Sequence, residues 1–93
     1  MTVGILKISL FIYNSNSLKD KRTVLDSLKV KLRNKFNIAV ISLNDEDKWQ
    51  RANLAVVSIS KDRSQMDSLL CEVINFLKNY NQIDLLDYEM QIL

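Results

Sequence analysis

Three cations, Lys19, Lys21 and Arg22, follow Ser17 at the point where a helix is expected to begin. Cations in a first helical turn oppose the macrodipole by ~0.3 to 1 kcal/mol each, so helix stability alone would select acids there. Gathered beside the free N–H groups of a helix start, they make a corner suited to an anion such as a phosphate. The alternative is that their long stems spread into solvent, with Asp20 compensating the charge. On the helical wheel Lys19, Arg22, Lys29 and Arg33 form a stripe flanking the apolar face, with Asp26 set among them as an ion-pair partner. Lys31 and Lys35 fall on the opposite flank.

Two further groups of residues could join such a site. Trp49, the only tryptophan, lies in a polar stretch between Lys48 and Arg51. Its ring could stack on a base or hold an arginine plane, or simply fold back onto a sheet edge. Phe11 and Tyr13 sit on the outward side of the first strand, as does Ile5. They could stack bases, but the basic-Gly-aromatic-Gly-aromatic run of the RNA-recognition motif is absent from residues 54–60. Burial of Ile5, Phe11 and Tyr13 against a second copy of the chain accounts for them more economically.

Catalytic chemistry finds little support. The chain has no His, no Pro, one Gly and one Cys. Nucleophiles activated by histidine, zinc held by His or several Cys, disulfides and glycine-rich phosphate loops all need residues that are missing. Asp45, Glu46 and Asp47 form an acidic cluster without the glycine and distal glutamate of a calcium loop. No other carboxylate pair is placed for acid and base work. Cys71, beside Leu70 in an apolar helical pattern, reads as core filler or a bystander. The expectation is a protein that is not an enzyme, with no cofactor and no metal.

Charge is distributed unevenly. Residues 1–51 carry ten basic and five acidic side chains, whereas residues 52–93 carry three and six. A basic half joined to an acidic one suggests a nucleic acid or another anionic partner. Lys7 and Ser9 interrupt the apolar run near the N-terminus, and no stretch approaches the ~20 apolar residues that span a bilayer. A cytoplasmic protein with no membrane partner is the expectation.

The elements that must position these residues are legible in the hydropathy pattern. Ile, Leu and Val supply 30 of the 93 residues, enough for one core of two layers. Residues 3–13 alternate Leu6, Ile8, Leu10 and Ile12 against Lys7, Ser9, Phe11 and Tyr13, which predicts a strand. Ser17 and Asp20 form a capping-box-like start to a helix whose apolar side holds Leu18, Val24, Leu25, Leu28, Leu32 and Phe36, with Asn37 as the stop. Residues 38–43 predict a short strand, and 52–60 a nearly wholly apolar one, central and covered on both faces. Asp62 or Ser64 can cap a second helix carrying Met66, Leu69, Leu70, Val73, Phe76, Leu77 and Tyr80. Residues 85–93 alternate Leu86, Tyr88, Met90 and Ile92 against acids and Gln91, a last half-buried strand. The order βαββαβ predicts a single α+β domain over 1–93, a ferredoxin-like plait with a four-stranded antiparallel sheet of order 4-1-3-2 and two helices on one face. That architecture hosts many activities and selects none.

The run Ser17-Leu18-Lys19-Asp20-Lys21-Arg22, then Phe36-Asn37 before a strand and Gln50-Arg51-Ala52 entering the next, resembles the YlxP-like family, a bacterial domain of unknown function numbered 503. The resemblance runs from Val3-Gly4 to the closing strand Asp87 to Leu93. It implies a ferredoxin-like fold, no established enzymatic activity and no catalytic residues. Members typically lie near genes for translation initiation and ribosome-binding factor A, which implies by association a role around ribosome assembly or translation.

The combined expectation is a small RNA-binding or ribosome-associated accessory factor that meets phosphates through Lys19, Lys21, Arg22, Lys29 and Arg33, with Trp49 and Arg51 completing the site. Two alternatives stand beside it. One is a homodimeric interaction module working through its outward sheet face, with its basic helix on an acidic partner; the other is a regulatory domain that binds a small anion at the helix start.

Overall fold

A computed structural model describes residues 1–43 and 50–93. Its elements are β1 (Thr2–Ile12), α1 (Leu18–Lys35), β2 (Ala39–Ser42), β3 (Arg51–Ser60), α2 (Arg63–Lys78) and β4 (Ile83–Ile92). All strand pairs are antiparallel, in the spatial order β2-β3-β1-β4. This is the ferredoxin-like plait expected from the alternation of elements.

One face of the sheet makes the core. Leu6, Ile8, Leu10 and Ile12 of β1 and Ala52, Leu54 and Val56 of β3 are buried together with Leu25, Leu28 and Leu32 of α1 and Met66, Leu70, Val73 and Leu77 of α2. Each Leu, Ile, Val or Met side chain among them contributes ~1.5 to 3 kcal/mol when fully buried. The single glycine, Gly4, lets α2 settle onto β1. A Cβ there would overlap Met66 Cγ and Sδ and lie 3.1 Å from Leu70 Cδ1.

Three expectations change. β3 is central in the sheet, but only one of its faces is covered: Val57 and Ile59 are exposed on the other. Both helices lie on the core face, so a wholly apolar strand here reflects an open sheet surface and not a second buried layer. β4 starts at Ile83, earlier than its alternation indicates, because Ile83 and Leu85 pair with Ile12 and Leu10. The register then slips between Ser9 and Leu10, leaving Leu86 as the extra residue, exposed, while Tyr88 and Met90 fall opposite Ile8 and Leu6. Cys71 is exposed on α2, so it does not fill the core.

Candidate nucleic-acid interface

The end of the domain where α1 begins is built by backbone ties. The Ile12 N–H donates to the Gln50 carbonyl at 2.8 Å and the Tyr13 N–H to the Gln82 carbonyl at 3.0 Å. The exit of β1 is thus held between the starts of β3 and β4. Asn14, with φ 57°, then turns the chain toward the helix; asparagine tolerates this left-handed conformation better than most residues.

Ser17 caps α1. Its Oγ accepts the Asp20 N–H at 3.1 Å, and an Asp20 carboxylate oxygen accepts the Asn16 N–H at 3.2 Å. The reciprocal pair has the chemistry of a capping box, with the acid reaching one residue further back than usual. Asp20 therefore compensates the helix end, and its own first-turn N–H is already taken. What this end offers an anion comes from side chains more than from backbone.

The seven cations of α1 fall into four groups. Lys19 and Arg22 are exposed, and neither forms an ion pair among the described residues, where Lys29–Asp26 at 3.7 Å is found instead. Lys21 is only 6% exposed, on the core side of the helix with Leu25 and Leu28, so it is not presented to solvent as its neighbours are. Lys29 and Arg33 run along the outer edge of β2. Lys29 Nζ donates to Ser42 Oγ at 3.3 Å besides meeting Asp26, and Arg33 Nη2 donates to the Val40 carbonyl at 3.1 Å. Because the Leu43 N–H bonds to the Asn53 carbonyl, alternation along the ladder turns the Val40 carbonyl away from β3, toward the free edge. Lys31 and Lys35 face the aromatic rings where the two helices approach: Lys31 Nζ is 5.1 Å from the Tyr80 ring centre and Lys35 Nζ 5.6 Å from that of Phe76. Both stand near the negative end of α1's dipole, where cations are favoured.

On the open face at the same end, Arg51 is exposed and lies directly across the strands from Phe11. The Phe11 and Tyr13 rings meet edge to face, 5.4 Å between centres and inclined at 72°. Ile5 does not join them. It lies six residues up the strand, about 20 Å at ~3.3 Å per residue. Its neighbours toward β3 are the apolar residues Val57 and Ile59, with Val3 beside it on β1 and Gln91 opposite it on β4. Lys7, Ser9 and Asn53 separate the two groups, with Ser9 Oγ donating to Asn53 Oδ1 at 2.9 Å. Trp49 and the Asp45–Asp47 cluster lie outside the described residues.

Sequence periodicity separated Lys31 and Lys35 from the basic stripe but did not separate Lys29 and Arg33, held at the β2 edge, from Lys19 and Arg22. Tyr13 and the amides of Asn14, Asn81 and Gln82, which border one groove with Lys19, were not flagged as a group; only the pairing of β1's end with the start of β4 brings residues 13 and 82 together. Among the described residues no three of His, Cys, Asp and Glu converge as metal ligands, and no helix is long and apolar enough to cross a membrane.

The family model described as Protein of unknown function (DUF503) matches residues 3–90. The chain is also 30% identical over 82 residues to the Uncharacterized protein YlxP of Bacillus subtilis (strain 168), an overlap that covers 88% of this chain and 89% of that protein. With a match that runs from β1 nearly to the end of β4, the chain belongs to the DUF503 family.

Proposed function

We propose that this protein is a non-enzymatic RNA-binding factor that contacts phosphates with the end of the domain where α1 begins. The observation that carries the reading is the exposure of Lys19 and Arg22 in the early turns of α1, without a carboxylate in ion-pair range among the described residues. Arg51 and the Phe11–Tyr13 pair stand at the same end, so cations and aromatic rings can act on one strand of nucleic acid. Lys29 and Arg33 serve first to close the β2 edge and contribute long-range field. The resemblance suggests, by association only, a role around ribosome assembly or translation, so ribosomal subunits and rRNA fragments are the probes to use. Binding of these by the wild type, weakened in Lys19→Gln/Arg22→Gln and weaker with duplex DNA, supports the reading; equal binding by the variant rejects it.

A second reading rests on the other end of the open face. Ile41 and Ile59 are 59% and 61% exposed and adjoin Ile5 and Val57, an apolar patch of the kind that meets a second copy of the chain. The patch and the basic end are distinct, so a homodimer formed through the first leaves the second open.

A further inference from the structure

We propose that the groove beside Tyr13 receives one unpaired nucleotide, which makes the RNA partner single-stranded where it crosses the start of α1. The inference deepens the RNA-binding reading and rests on it. The groove, about 300 Å³, is bordered by Tyr13, Asn14, Lys19, Thr23, Asn81 and Gln82, with Asp20 and Val24 completing its wall. That volume is at the small end of the ~300 to 1,000 Å³ range of small-ligand sites.

Its chemistry matches a base better than a bare anion. The side-chain amides of Asn14, Asn81 and Gln82 make no hydrogen bond to other described residues, and each offers donors and an acceptor to a base edge. Tyr13 is 45% exposed, and its contact with Phe11 is edge to face, so at least one face of its ring is not used by Phe11 and can stack on a base. Asp20, whose carboxylate already accepts the Asn16 N–H, places negative charge in the wall. A phosphate inside the groove would meet that charge; a neutral base would not. Lys19 stands on the same border as Asp20 and, with Arg22, meets the phosphate of the bound nucleotide. The bond from the Tyr13 N–H to the Gln82 carbonyl ties together the backbone of the two segments that border the groove. In a duplex the bases are stacked and paired and cannot enter such a groove.

The test uses fluorescein-labelled single-stranded oligouridine and oligoadenine and an RNA duplex of equal length, titrated with the intact wild-type protein, Tyr13→Leu, Tyr13→Phe and Asn81→Ala. The expected result is single strands bound at least about tenfold more tightly than duplex, with Tyr13→Leu losing about tenfold on single strands. Tyr13→Phe retains affinity, and Asn81→Ala changes the ratio between the two oligomers. Equal affinity for duplex and single strand, or single-strand affinity unaltered in both Tyr13→Leu and Asn81→Ala, overturns the nucleotide site while leaving the RNA-binding reading in place. Failure of the wild type to bind any RNA overturns both.

Discussion

Arg33 Nη2 donates to the Val40 carbonyl oxygen at 3.1 Å, so a cation of the basic helix closes the outward edge of the shortest strand. A free edge presents unpaired backbone groups to other chains, and a charged side chain laid on it is a common protection. The bond also separates the cations of α1 by task. Arg33 and Lys29 hold the border between helix and sheet, while Lys19 and Arg22 point their charge at solvent.

Arg33→Ala is therefore expected to act on stability more than on RNA. Losing the bond to the Val40 carbonyl should cost about 0.5 to 1.5 kcal/mol in urea denaturation and raise amide exchange in β2. RNA affinity at moderate salt should fall less than in Lys19→Gln/Arg22→Gln. A variant with unchanged stability and the larger loss of RNA affinity would return Arg33 to the binding site.

Ser17→Ala removes the oxygen that accepts the Asp20 N–H. The expected loss is about 1 kcal/mol, read as a lower urea midpoint with an unchanged slope. Every cation of α1 is retained in that variant, so RNA binding at temperatures well below unfolding should persist.

Gly4→Ala places a Cβ against Met66, which is fully buried and has no solvent to move into. Overpacking of this kind costs about 1 to 3 kcal/mol, whereas Met66→Ala costs about 2 to 5 by leaving a cavity. The double variant should be destabilised by clearly less than the sum, since the new methyl occupies part of the space vacated. Strict additivity would mean that Gly4 is not the point on which α2 rests.

The plait was legible because its signals are local. The period-two row Leu6 to Ile12, the helical spacing of Leu25, Leu28 and Leu32, and the Ser17–Asp20 pair each encode an element without reference to the rest of the chain. What escaped depends on tertiary placement. Val57 and Ile59 look like core residues in a strand of apolar types, and only the position of both helices on one face leaves them exposed. Lys21 is the exception: it belongs by composition to the basic start of α1, yet its helical spacing from Leu25 and Leu28, a local signal, already sets it on the inward side. Ile5, Phe11 and Tyr13 share a strand face, but the length of β1 and the polar row at Lys7 and Ser9 divide them between two surfaces. Leu86 continues an alternation that the slip opposite Ser9 and Leu10 interrupts.

If the apolar end of the open face is a contact between copies, wild-type protein at tens of micromolar should sediment as a dimer and Ile59→Lys as a monomer. Tyr13→Leu, at the other end of the strand, should leave the dimer intact. A monomeric wild type would remove the second reading without touching the first.

The most direct measurement of the central claim is RNA affinity as a function of salt. With wild-type protein and a single-stranded rRNA fragment, log affinity should fall with log salt by ~0.7 for each phosphate neutralised. Replacing Lys19 and Arg22 by glutamine should reduce that slope by about 1.4, whereas Lys31→Gln/Lys35→Gln should change it far less. A slope unaltered by removing Lys19 and Arg22, or lowered as much by removing Lys31 and Lys35, would contradict the account.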